Sequence, residues 1–327
     1  MNTVVGFALA GLLLGAAVGA IAQVTAFCSV GAVADIVLAK DWRRMRSWLM
    51  AAGVALIGTQ ALSALGWADL TGTPYGLPIS TWPGVLLGSI AFGYGMAQAG
   101  GCVQRALVRI GSGSVKSLAT FALVAIFAAV TLFVMPPAED ASVTLPHVLA
   151  LAISLGLGGA LIVFAVADPW FRKSPEHLWG GAAIGAAIAI AWVFADSRRG
   201  FNLLMDTGTA AAWSVGWTDS LPVFGLAALV GIVIGAAISA AVRGDLARDR
   251  FVDGDDVKRH VIGGVLMGVG GALAYGCTFG QGLAGLSTLS MSSVIAIAGM
   301  GIGCLWGIRV LEAGTAWGGL KLMFASR

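Results

Sequence analysis

Charge is what this sequence has least of. Its 327 residues carry 35 charged side chains, 19 Lys and Arg against 16 Asp and Glu, or 11%, where a soluble domain carries roughly 25%. A soluble chain of this length would be expected to form about two domains, and 35 charges do not cover their surface. An ordinary cytosolic enzyme and a disordered chain are thereby excluded. The net charge of +3 is too small to draw an anionic polymer, so no nucleic-acid partner is expected. Histidine and cysteine are also scarce, at three and four residues. No CxxC pair occurs, and no Cys/His spacing suggests zinc or iron–sulfur ligation. His147, His177 and His260 stand at the starts of apolar runs and read as interfacial residues, so neither a metal site nor a cofactor is expected. The GxGxxG-like patterns follow no strand and read as helix-packing glycines rather than a nucleotide site.

What is abundant is apolar. Hydrophobic residues make up 58% of the chain and Gly another 48 residues, and the mean hydropathy is +0.91. These numbers predict an all-α polytopic membrane protein, since a spanning helix needs about 20 mostly apolar residues. Nine runs qualify: residues 4–27, 47–65, 82–98, 115–135, 147–167, 177–195, 221–242, 260–275 and 293–311. The first is not expected to be a cleavable signal, because no Lys or Arg precedes Lys40. Three shorter apolar segments, 30–39, 103–110 and 283–290, read as re-entrant half-helices, which are tolerated only where they are buried or line a polar cavity. Seventeen of the 19 basic residues fall on one side of this arrangement, and only Arg198 and Arg199 fall on the other. The positive-inside rule then places the N-terminus outside and the C-terminus in the cytoplasm. The polar stretch 244–258 becomes a cytoplasmic loop.

The chain also repeats itself. LLGSIAFGYGMAQAGGC (86–102) aligns without gaps with VIGGVLMGVGGALAYGC (261–277), matching Gly88, Gly93, Gly95, Gly101 and Cys102 with Gly263, Gly268, Gly270, Gly276 and Cys277. GLLLGAAVGAIA (11–22) has a weaker copy in GAAIGAAIAIA (181–191). The expectation is one membrane domain, 1–327, with repeat one at 1–145, a linking helix at 146–168 and repeat two at 176–327. An odd number of crossings inverts the second half, the architecture of transporters whose sites lie where broken helices meet.

The cysteines fit that architecture. Cys102 and Cys277 occupy equivalent positions, each after a Gly and before a short segment, and Cys28 also stands where an apolar helix stops. Half-helix N-termini and free backbone N–H groups favour an anion. A thiol in apolar surroundings stays protonated and is a weak donor with a polarizable sulfur, suited to loose binding of a sulfur anion. Cys304, within an ordinary helix, reads as a small apolar filler.

TAFCSVGAVADI, GGCVQRALVRIGSGS and YGCTFGQGLAGLSTLS, in that order, resemble the signature segments of the YeeE/YedE family of sulfur-transporting membrane proteins. The resemblance covers nearly the whole chain. It implies uptake of thiosulfate or a related sulfur anion across the bacterial inner membrane, relayed along Cys28, Cys102 and Cys277 by S–H hydrogen bonds. It also implies a small cytosolic sulfur carrier of the TusA type as a partner. The third segment departs from the family's more hydrophilic run at Phe279 and Gln281, which leaves the compound open, selenium-linked members included.

Candidate pathway-lining residues are Gly101, Gln104, Arg105, Gly276, Thr278 and Gln281, all beside the cysteines. Arg105 and Arg109, one helical turn apart, read as positive-inside anchors or as an anion lure. Asp35 and Asp206 read as helix caps or as carriers of a coupling proton. Arg198 and Arg199 fall near the repeat position of Cys28 and read as surface anchors or as an outer lure. No catalytic residue is expected. The rival is a membrane thiol enzyme, a sulfurtransferase or redox protein, which needs a low-pKa thiol with a base or a resolving cysteine nearby. No CxxC and no His near a Cys supplies either. A scaffold for a partner complex would leave the cysteines without a role.

Overall fold

A computed structural model describes residues 2–135, 146–195, 199–246 and 249–324. Among them the chain forms only helices and turns. The first six elements are α1 (Asn2–Val24), α2 (Ser29–Ala34, widening into a π-helical turn, Asp35–Ala39), α3 (Arg43–Ala64), α4 (Trp82–Gln98), α5 (Val103–Gly111) and α6 (Val115–Val134). Next come α7 (His147–Val166) and the single turn α8 (Pro169–Arg172). The second series is α9 (Pro175–Phe194), α10 (Leu203–Ser214), α11 (Val223–Arg243), α12 (Gly254–Leu273), a π-helical turn (Gly280–Gly285) and α13 (Met291–Ala313), followed by α14 (Ala316–Phe324).

Among the described residues, seven helical stretches are long and apolar enough to cross a membrane: Val4–Ala39, Arg43–Ala64, Val115–Val134, His147–Val166, Pro175–Phe194, Val223–Arg243 and Met291–Ala313. The other two expected runs also fold as helices. They are α4, of 17 residues, and α12, whose first turns carry Asp255, Asp256, Lys258 and Arg259. The three short segments are helical as well, at α2, α5 and the π-helical turn after α12. A fourth short helix, α10, was not expected. Its run of Asp206, Thr207, Gly208 and Thr209 lacks a hydropathy signal, yet all four are buried.

Glycine sets how the helices pack. Between membrane helices there is no hydrophobic driving force, and small residues let backbones meet for van der Waals contact. Gly11, Gly15 and Gly19 of α1 sit on the backbone carbonyls of Phe224, Ala228 and Ile232 of α11, so the two helices run parallel. Gly181 and Gly185 of α9 sit likewise on Ser47 and Ala51 of α3, also parallel. Gly93 of α4 lies on the Met300 carbonyl of α13, and Gly268 of α12 lies by the Val124 carbonyl of α6. Helices α4 and α12 cross each other antiparallel, with Gly88 against Gly270 and Gly95 against Gly263. Helix α7 runs antiparallel to α3, where Gly53 and Gly158 meet. The α1–α11 packing thus resembles α9–α3, and α4–α13 resembles α12–α6, whereas α3–α7 has no such match.

Candidate functional site

Four turns lead into a short helical segment in the same way, three of them closing α1, α4 and α12 and the fourth standing before α10. Each carries a left-handed residue: Ala26 (φ 49°), Gly100 (68°), Gly200 (57°) and Tyr275 (56°). At three of these ends the next N–H reaches back five residues, Phe27 to Ala22 (3.2 Å), Gly101 to Met96 (2.9 Å) and Gly276 to Gly271 (2.9 Å), the closure that satisfies orphan carbonyls at a helix C-terminus. Two residues after each left-handed residue stands a cap: Cys28, Cys102, Asn202 and Cys277. Its carbonyl accepts the first bond of the new helix, from Ala32 (2.9 Å), Ala106 (2.9 Å), Asp206 (3.0 Å) and Gln281 (2.8 Å) respectively.

At Cys28 and Asn202 the side chain accepts from the N–H three residues on, as N-caps do. The Cys28 sulfur accepts from Gly31 at 3.4 Å, and the Asn202 Oδ1 accepts from Met205 at 3.4 Å. The backbone N–H of Arg105 faces the Cys102 sulfur. Those of Phe279 and Gly280, together with Leu204 of α10, face that of Cys277. Each thiol thus sits at the start of a short helical segment with backbone N–H groups facing its sulfur.

The three thiols share one buried cluster. Cys102 lies between the other two, near both Cys28 and Cys277, with the Thr278 side chain beside it. All four cysteines are free. Cys304 on α13 is buried near Cys28 and Cys102 but caps no helix. Phe279 fills the space between the breaks, edge-on to Phe27 (centroids 6.1 Å) and tilted against Phe201 (6.3 Å). No group of three metal-ligating side chains occurs among the described residues.

The remaining candidates divide by their partners. Both ends of the Gln281 amide are used within the protein: Nε2 donates to the Ala274 carbonyl (2.6 Å) and Oε1 accepts from Ser293 (2.6 Å). Gln281 therefore holds the π-helical turn in place. In contrast, both polar atoms of Gln104, Nη1 of Arg105 and Oγ1 of Thr278 are buried without a hydrogen-bond partner among the described residues. Gly101 leaves room for the Arg105 chain, since a Cβ there would lie 2.9 Å from its Cγ. Gly276 (φ 158°) packs against Asn202, 3.2 Å from where its own Cβ would stand. Asp35 pairs with Arg44 at 3.3 Å. The Asp206 carboxylate is buried against Gly225 of α11. Arg199 donates to Thr209 Oγ1 (2.9 Å), while Arg198 lies outside the described residues. Asn202 follows its left-handed residue, Gly200, as Cys28 follows Ala26. The signal was there: Gly200-Phe201-Asn202 repeats Ala26-Phe27-Cys28.

Two ends close the file of caps. On the side of the 65–81 connection a cavity of about 1030 Å³ is lined by Gln60, Thr73, Ser290 and Ser292 among others. Between it and Cys277 stands Tyr75, fully buried, edge-on to Trp192 (6.1 Å) and donating to the Arg199 carbonyl (2.8 Å). Its own carbonyl accepts from Ser290 and Ser292. At the other end Arg109 and Lys116 share Asp249 at 3.2 and 3.0 Å.

Apolar helices broken around a buried file of polar caps define a multi-pass membrane transport protein. The chain belongs to the sulphur transport family, whose model matches residues 24–306. Among its relatives, the thiosulfate transporter TsuA of Escherichia coli K12 is 25% identical over 332 aligned residues, 90% of this chain and 92% of that one. The thiosulfate transporter TsuA of Spirochaeta thermophila is 26% identical over 313, covering 88% and 93%.

Proposed function

We propose that this protein is a permease for thiosulfate, in which the ion passes along Cys277, Cys102 and Cys28 by S–H hydrogen bonds. The observation that carries the reading is the common geometry of the three thiols. Each stands where a short helical segment begins and turns its sulfur toward backbone N–H groups, so that its S–H proton would be the group that meets the substrate. The relatives' names support the substrate. Neutral thiols bind a dianion weakly, and several weak stations let it leave again. The short-helix N-termini add roughly half a positive charge each where the anion passes.

The frame we propose has nine crossings in two inverted repeats, 1–145 and 176–327, joined by the helix within 146–168. The parallel and antiparallel packings support it: α1, α4, α7, α11 and α13 run one way, and α3, α6, α9 and α12 the other. Nine alternating crossings in chain order require that division. The matched pairs α1–α11 with α9–α3, and α4–α13 with α12–α6, are those a twofold relation between the halves demands. The basic residues then place the N-terminus outside and the C-terminus in the cytoplasm of an inner membrane. A TusA-like carrier would receive the ion on the cytoplasmic side.

Uptake of labelled thiosulfate into proteoliposomes tests the reading. Wild-type protein accumulates the ion, whereas Cys102→Ala and Cys277→Ala do not. Unchanged uptake by both variants overturns the relay, and no uptake by folded wild type overturns the substrate.

A further inference from the structure

We infer that Gln104, Thr278, Arg105 and Trp48 form an oxygen-recognition set around Cys102, so that this station selects a sulfonyl-type anion with a terminal sulfur. The inference rests on the permease reading and deepens it. Gln104 is 1% exposed and Thr278 5% exposed. Gln104 Nε2 and Oε1, Thr278 Oγ1, Arg105 Nη1 and Trp48 Nε1 are all buried and all lack a hydrogen-bond partner among the described residues. Buried polar groups are otherwise nearly always satisfied, and each exception calls for an explanation. Three of them follow the cysteines closely in sequence, and Thr278, Trp48 and Arg105 are tied to the same region by their neighbours. Gln104 and Arg105 follow Cys102 by two and three residues, and Thr278 follows Cys277 directly. The Thr278 side chain lies by the Cys102 thiol. The Trp48 ring and Thr278 Cβ both border Gly282, at 3.0 and 3.9 Å from where its Cβ would stand.

The set is richer in donors than in acceptors, which are Gln104 Oε1 and the Thr278 hydroxyl. Arg and Trp only donate, and the Gln amide and Thr hydroxyl each have a donor to offer. Four unpaired donors in a buried site fit an anion that presents several acceptor oxygens. Hydrosulfide has none to present. Sulfate has the oxygens but lacks the polarizable terminal sulfur that the thiols would hold. Thiosulfate carries both ends, so oxygen donors and thiols would read opposite ends of one ion.

The test is the KM of proteoliposome uptake with labelled thiosulfate as the probe. Gln104→Leu and Thr278→Val each raise KM about tenfold or more, the loss of one hydrogen bond to a charged group, while the maximal rate stays near wild type. Thr278→Ser, which keeps the hydroxyl, keeps the wild-type KM. Gln104→Glu keeps the shape, replaces the donor with a negative charge and abolishes uptake. Wild-type KM in folded Gln104→Leu and Thr278→Val overturns the inference even when Cys102→Ala is dead. No uptake by wild type overturns the permease reading itself. If Gln104→Leu does not fold, the near-isosteric Thr278→Val decides the matter alone.

Discussion

Gly280 faces Asn202 so closely that any side chain there must displace the cap. A Cβ on Gly280 would stand 2.4 Å from Asn202 Oδ1 and 2.7 Å from its Cγ. Ordinary contact begins near 3.4 Å, so the amide would have to retreat by about 1.0 Å. Its bonds to the Tyr275 carbonyl (3.0 Å) and the Met205 N–H (3.4 Å) cannot survive that movement. Two hydrogen bonds at about 1 kcal/mol each, with about 1–3 kcal/mol of overpacking, are offset by up to ~1 kcal/mol of helix propensity. Gly280→Ala should therefore destabilise the protein by about 2–4 kcal/mol, read by denaturant unfolding in detergent. Asn202→Ala removes the obstacle, so adding Gly280→Ala to it should cost almost nothing further. The coupling energy of the double-mutant cycle is then at least ~1.5 kcal/mol. Single-mutant costs that add to within ~0.5 kcal/mol would refute the contact and the capping role drawn from it. Thiosulfate uptake should fall in Gly280→Ala, because its own N–H faces the Cys277 sulfur.

Gly235→Ala would drive a Cβ to 1.9 Å from the Ala16 carbonyl oxygen, a backbone atom that cannot turn aside, and should cost about 3 kcal/mol. Gly156→Ala meets nothing within 4 Å and should stabilise α7 by up to ~1 kcal/mol; the two melting temperatures in detergent should move in opposite directions. Tyr75→Ala removes the ring between the 1030 Å³ cavity and Cys277. Membrane-impermeant thiol reagents added from outside should then label Cys277 faster, and an unchanged rate would place the barrier elsewhere. Cys304→Ala should leave thiosulfate uptake at the wild-type rate, because Cys304 lies within α13 and caps no helix.

Helix identity was largely legible in the sequence because lipid demands it: the run at 82–98 is α4 to the residue, and the other eight shift by a few positions, with α12 starting six residues early. The charged first turns of α12 hid that start. Helix α10 was invisible for a different reason. Its buried face is made of Asp206, Thr207, Gly208 and Thr209, which no hydropathy window registers, and the residues before it carry the arginines that drew attention instead. Cys102 and Cys277 stand out in the sequence as matched Gly-Cys steps, while Cys28 follows Phe27 where an apolar run stops. What one sequence cannot show is which polar neighbours are spent within the protein: Gln104 and Gln281 look alike on paper, yet only Gln281 has both amide ends engaged.

The fourth cap is an amide where the others are thiols. Two halves with identical caps would offer an ion the same reception from either face of the membrane. In the proposed inverted frame, Asn202 in place of a thiol makes the two halves chemically unequal. The Asn202 nitrogen is already committed to the Tyr275 carbonyl, so this cap braces the Cys277 turn. Such a protein can hold its cargo with different strength at its two ends, yet the sign of net flow remains the property of the two solutions it separates.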